Sequence, residues 1–206
     1  LSDAWRREIY PGEDVYRVLF SDGDFCSSII VDRYGPYLVL QTLSQGAEQI
    51  QSVLIELLKE KFGPQAILLR NDAKVRQLEG LPLEKKVVFG NLPERIQLTL
   101  GKVRFEMDLL LSQKTGLFLD QRENYQATSR YAGGKVLDLF TYAGGFGLHA
   151  AVQSESVECV DISSTAIEDV TRNASLNGFG QVRTVCENAF DLLRAYDQKG
   201  NRFDTV

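Results

Sequence analysis

The sequence predicts an α/β protein in two parts, a small α+β domain followed by an incomplete open sheet of parallel strands. Three observations carry this. Short runs rich in β-branched and aromatic residues dominate before about residue 110. Strand and helix patterns alternate after it. A glycine cluster, "DLFTYAGGFG" (138–147), sits where the first of those later strands gives way to its helix. Runs of strands followed by strict alternation read as α+β and then α/β.

In the first part, "YRVLF" (16–20), "SIIVD" (28–32) and "YLVLQTL" (37–43) are strand-like, with "RYGP" as the turn between the last two. "AEQIQSVLIELLKEKF" (47–62) places Ile50, Val53, Leu54, Leu57 and Leu58 at helical spacing, and Gly63-Pro64 stops it. "QAILLRND" (65–72) returns to strand. "RIQLTLG" and "KVRFEMDLL" (95–110) form a predicted hairpin about Gly101-Lys102. The second part reads strand "KVLDLF", helix from "GLHAAVQS", strand "SVECVD", helix "STAIEDVTRNASLNG", strand "QVRTVCE", helix "NAFDLLRAYDQKG", and the first residues of another strand, "FDTV". Such alternation implies right-handed crossovers and a Rossmann-like sheet. A sheet stopping at that point is expected to be part of a longer protein.

Composition bounds the function. The 206 residues are 44% hydrophobic and 25% charged, ordinary for a soluble domain, and no run is long enough to span a membrane. A cytoplasmic setting is expected, since Cys26, Cys159 and Cys186 form no C-x-x-C pair. A net charge of −5 leaves nucleic-acid binding to local patches or to a further domain.

Open parallel sheets bind ligands at the carboxyl ends of their strands. Asp138 stands there, but Gly144, Gly145 and Gly147 come six or more residues later, a poor match to the G-x-G-x-x-G pyrophosphate cradle. A longer loop with a carboxylate at its base suits a ligand with an ammonium group and no phosphate. The alternative is a tight turn with Asp138 bonded to nearby amides. Asp161 ends the next strand, placed to accept from both ribose hydroxyls. The helix after it has its own T-x-x-E capping box in Thr165 and Glu168, besides Ser163 and Ser164. Asn188, in "ENAF" (187–190), could accept from an adenine amine or cap the helix that follows. Ammonium, ribose and adenine sites in that order describe S-adenosyl-L-methionine. His149 is expected to pack rather than catalyse. Cys159 and Cys186 are expected as buried strand residues, and Arg6, Arg7, Lys85 and Lys86 as solvated charges.

"QKTGLFLDQREN" (113–124), joined to "VLDLFTYAGGFGLHAA", resembles the class I methyltransferases that modify carbon 5 of a cytosine in large-subunit ribosomal RNA. The resemblance runs from "IIVDRYGPYLVLQ" through "EGLP" to "VDIS", "NASLNG" and "FDTV". It implies an RNA-binding PUA domain of which residues 1–10 are the tail, a central α+β domain at 11–110, and a Rossmann-like methyltransferase domain from 111 to 206. It also implies an Asp-Pro-Pro motif and a nucleophilic Cys beyond the residues given. That thiolate would add beside carbon 5, and the resulting enamine would attack the sulfonium methyl. The chain is thus expected to carry the donor-binding half and to be inactive alone. The cofactor-binding set so implied is Lys114, Thr115, Asp120, Arg122, Asp138, Phe140, Tyr142, Gly144, Gly145, Gly147, Asp161, Ile162, Asn188, Ala189 and Phe190, with no catalytic residue and no metal. Relatives tend to carry Asp where this chain has Asn188, Arg where it has Tyr125, and a Leu-Pro-Gly turn near "DFCSS". Ribosomal RNA is the expected partner, and a homodimer is left open. Two other readings remain: a nicotinamide-dependent oxidoreductase on the same sheet, and a non-catalytic cofactor- or RNA-binding module.

Overall fold

The computed structural model describes residues 2–206, so Leu1 of the expected 1–10 tail lies outside the described residues. The chain divides into two compact units. The first runs to Leu98 and takes in Asp108–Leu119; the second holds Thr99–Met107 and Asp120–Val206. That differs from a single boundary at residue 110, because the hairpin divides with the later residues.

The first unit opens on helix α1 (Ser2–Ile9), within the expected 1–10 tail. Strands β1 (Val15–Phe20), β2 (Ile29–Tyr34) and β3 (Tyr37–Thr42) follow, then helices α2 (Gln45–Gln49) and α3 (Gln51–Phe62), strand β4 (Ala66–Asn71), the short helix α4 (Val75–Leu78) and strand β5 (Glu84–Gly90). They form one sheet in the order β1-β2-β3-β4-β5, antiparallel except for the parallel pair β3 and β4. A parallel pair needs a long crossover, which α2 and α3 supply. The helix expected over 47–62 is two helices meeting at Ile50, because the Ser44 side chain caps α2 at Ala47 N and so starts the turn earlier.

A core of Tyr16, Val31, Leu38, Leu40, Ile67 and Leu69 lies against Leu58 of α3. Segment 108–119 is held by Arg70, which is fully buried: its Nη1 donates to Leu109 O at 2.6 Å and its Nη2 to Ser112 O at 2.8 Å, while Asp72 balances the charge at 3.0 Å. Arg6 is no solvated charge either. It makes a bidentate pair with Asp24 at 2.7 and 3.1 Å, half-buried against the first strand.

The second unit contains the hairpin of β6 (Ile96–Leu100) and β7 (Val103–Met107), whose later part belongs here, then α5 (Arg122–Tyr131), β8 (Lys135–Leu139), α6 (Gly145–Ala150), β9 (Ser156–Asp161), α7 (Ser164–Asn177), β10 (Val182–Cys186) and α8 (Ala189–Lys199). The strands are parallel in the order β10-β9-β8. On the other side of β8, Thr205 bridges Val136 in parallel, so strand order reverses beside β8. Leu137, Val160 and Leu192 pack one face, with Tyr196 and Phe203 around them. β7 is fastened to α7 through side-chain amides: Asn173 Oδ1 accepts from Glu106 N and Asn177 Oδ1 from Arg104 N, both at 2.8 Å.

Candidate functional site

The site is built at the carboxyl ends of β8, β9 and β10. After Leu139 the chain turns abruptly. Phe140 and Tyr142 take left-handed backbone, φ 59° and 49°, and Gly144 follows at 82° as the residue before α6. Two aromatic residues in that region are strained, by about 1–3 kcal/mol each, and such strain collects where a loop must hold a particular shape. The loop is held from outside: Thr141 N donates to Val160 O at 3.0 Å, and Tyr142 N donates to Asp161 Oδ2 at 2.9 Å.

Asp161 also accepts from Ser163 N, through Oδ1 at 3.0 Å. It does not cap α7. Ser163 does, accepting from Ala166 N, so the expected Thr165–Glu168 box is not the cap. Each carboxylate oxygen of Asp161 keeps a second lone pair, enough for two hydroxyl donors.

Asp138 takes Gly147 N (2.8 Å) and the Thr141 hydroxyl on the same oxygen, Oδ2. Among the described residues its Oδ1 has no hydrogen-bond partner. Burial pushes its pKa up from an ordinary 3.8 to about 6; the Asp161 carboxylate adds to this, and the bonds from Thr141 and Gly147 oppose it. A carboxyl raised in this way, beside a second carboxylate, is a natural place for a ligand cation.

The glycines play a different part from the one their pattern suggests. A Cβ on Gly145 would stand 2.5 Å from the Tyr125 ring, and one on Gly147 would stand 2.4 Å from Cys159 Sγ and 2.8 Å from Asp138 Oδ2. Both are buried, and a side chain on either would meet packed atoms, so packing by itself already requires glycine at both positions. Tyr125, on α5, stands where the relatives tend to carry Arg, and here it packs against the loop. Its ring meets Phe146 edge-on at 4.7 Å, and burial, then Asp120 and Asp138, hold its phenol neutral.

Three apolar side chains stand uncovered, one beyond each strand end: Phe140 (64% exposed), Ile162 (71%) and Phe190 (62%). The Phe140 and Phe190 rings lie 5.7 Å apart. Ala189 beside Phe190 is buried. Asn188 caps α8: its Oδ1 accepts from Phe190 N at 2.9 Å and from Asp191 N at 3.4 Å. The oxygen assigned to an adenine amine is therefore already engaged. Cys159 is buried as expected, but Cys186 is exposed, because it ends the edge strand, and its thiol faces Ile162 O at 3.6 Å.

The remaining candidates divide between the two units. Lys114 and Thr115 belong to the first unit, where Lys114 lies over the Phe118 ring and the Thr115 hydroxyl donates to Asp32 at 2.5 Å. Asp120 is exposed before α5; Arg122 is buried, not part of a solvated helix face. A cavity of about 530 Å³ opens on the switch side of β8, with Asn124, Thr128, Tyr131, Asp138, Phe146 and Thr205 among its walls. It shares Asp138 and Gly147 with the candidate set but not Asp161 or Asn188. Asn124 and Thr128 carried no signal beyond a helical pattern.

Residues 65–202 match the family described as S-adenosylmethionine-dependent methyltransferase. The chain belongs to that family. Its cofactor is S-adenosylmethionine, and the donor set fits: a carboxylate with a free oxygen, a second carboxylate at the next strand end, and uncovered apolar groups beside them. Among similar proteins, a ribosomal RNA large subunit methyltransferase I from Erwinia tasmaniensis is 38% identical over 94% of this chain and 50% of its own length. One from Klebsiella pneumoniae is 36% identical over 98% and 52%. The chain thus spans about half the length of these relatives. A Streptococcus mutans structure described as a SAM-dependent methyltransferase superposes with a TM-score of 0.83 at 19% identity, over 98% of this chain and 54% of that one, which shows the shared α/β fold. No described helix is long and apolar enough to cross a membrane.

Proposed function

We propose that this chain carries the donor-binding half of an S-adenosylmethionine-dependent methyltransferase acting on carbon 5 of a cytosine in large-subunit ribosomal RNA. The observation that carries the donor part is the succession of Asp138, Asp161 and the uncovered Phe140, Ile162 and Phe190 at three adjacent strand ends. Asp138 Oδ1 would take the ammonium group and Asp161 the ribose hydroxyls. Phe140, Ile162 and Phe190 would flank the adenine, with Asn188 offering its amide hydrogens rather than its oxygen. Bound there, the cofactor would supply an electrophilic methyl group on a sulfonium. The acceptor part rests on the names of the relatives and on the "QKTGLFLDQREN" segment. Lys114, Thr115, Asp120 and Arg122 remain candidates on that account, as does a PUA domain in the full-length protein.

The experiment is titration calorimetry with S-adenosylhomocysteine and, separately, with a reduced nicotinamide dinucleotide. Binding of the first and not the second is expected; the reverse would overturn the reading in favour of an oxidoreductase. Asp161→Ala should weaken S-adenosylhomocysteine binding about tenfold or more, since it removes a charge-assisted acceptor and frees the strained Tyr142 amide. Unchanged affinity would remove Asp161 from the site. For the acceptor, labelled methyl transfer by the natural full-length protein to unmodified large-subunit RNA should yield 5-methylcytosine, and any other methylated nucleoside would refute that part.

A further inference from the structure

His149 is the chain's single histidine and is buried on α6. Its ring lies nearly parallel to Phe105 on one side and Tyr125 on the other, with centroids 6.1 and 5.6 Å away. Nδ1 is 2.7 Å from Gly145 O, and Nε2 is 3.0 Å from Leu100 O. Both partners are acceptors. A neutral imidazole has one N–H and one lone pair, so it satisfies one carbonyl and turns a lone pair on the other.

An imidazolium would satisfy both carbonyls, but burial lowers the pKa, with the two carbonyls pulling against it. No charged side chain contributes to that balance. The elements packed on the ring bring Tyr125, neutral by burial, from α5, the Phe105 ring from β7 and a carbonyl from β6. At neutral pH one proton therefore serves two oxygens. One of these belongs to the residue that opens α6 behind the strained loop, the other to the end of β6.

We propose that His149 is a positioning residue whose single ring proton ties either the glycine loop, at Gly145, or the β6–β7 hairpin, at Leu100, and that a ligand on the loop selects between the two. Which ring nitrogen carries the proton is set by the bonds available to each, so a small displacement of the Gly145 carbonyl redistributes it. The selection by ligand rests on the donor-site reading; the shared proton does not.

Because there is one histidine, ¹⁵N-histidine labelling reports it alone. Two-bond ¹H–¹⁵N correlation at pH 7.5 should give intermediate nitrogen shifts in the free chain, the mark of two exchanging neutral tautomers. One tautomer should dominate once S-adenosylhomocysteine saturates the site. His149→Phe, which keeps the stacking, should bind S-adenosylhomocysteine about three- to tenfold more weakly while retaining its circular dichroism. A single tautomer in the free chain would overturn the shared proton, and a spectrum unmoved by saturating ligand would overturn the selection. If calorimetry shows no S-adenosylhomocysteine binding to the native chain, the donor reading fails, and the free-chain spectrum still decides the shared proton.

Discussion

Gly147→Ala should cost about 1–3 kcal/mol of stability, the range for an extra methyl forced into a packed interior. It should also abolish measurable donor binding at micromolar ligand. The new Cβ would stand 2.4 Å from Cys159 Sγ and 2.8 Å from Asp138 Oδ2, and neither belongs to a long side chain that could swing away. The two effects separate in the double variant. Gly147→Ala with Cys159→Ala opens space on one side, so urea unfolding should show part of the stability restored. Binding should stay impaired, because the methyl still presses on Asp138. Additive costs in the double variant would mean that Cys159 is not what the methyl meets.

Asp138→Asn should make the ligand-free chain more stable at pH 7.5 and weaken its donor affinity. The folded-state pKa of about 6 lies above the ordinary 3.8. Between those values the folded chain holds a proton that the unfolded chain has lost, so stability falls as pH rises through that window and stays low above it. Each unit is worth 1.36 kcal/mol, which bounds the gain on removing the carboxylate at roughly 3 kcal/mol above pH 7, shrinking to nothing below about pH 4. Affinity should move the other way. In the native chain, binding of a cationic donor should weaken as pH drops below about 6, and the Asn variant should be weak and flat across that range. Urea midpoints and calorimetry at pH 5, 6 and 7.5 check both. A variant less stable than the native chain at pH 7.5 would show that the carboxylate's bonds to Thr141 and Gly147 outweigh its burial.

The parts of the fold that read clearly from sequence are those whose pattern and packing agree. β9 and α7 fall where "SVECVD" and "STAIEDVTRNASLNG" place them, since a buried central strand must be apolar and a helix against it must repeat every three to four residues. β5 did not read as a strand. "EKKVVFG" leads with charges because it is an edge, and edge strands carry charge to discourage further pairing. The glycine loop was legible as a site, and less so in its reasons. Sequence shows that Gly145 and Gly147 have no side chain; only the fold shows that Tyr125, Cys159 and Asp138 fill that space. Asn188 had two readings of equal standing, and the geometry of α8 engages its oxygen in the cap. The strain at Phe140 and Tyr142 left no trace in residue type, since left-handed positions usually select glycine or asparagine.

The interleaving of the two units has a consequence for synthesis. The later part of the β6–β7 hairpin, Thr99–Met107, leaves the ribosome before segment 108–119, yet that segment completes the first unit while these hairpin residues wait for the second. Its fasteners on α7, Asn173 and Asn177, lie 67 and 73 residues downstream of Glu106 and Arg104. At about 5–20 residues per second the nascent hairpin stands without those partners for roughly 3–15 s. Slow codons between residues 108 and 177 would prolong that exposure, and a chaperone that shields short hairpins during translation should raise the yield of folded chain more than one added after release.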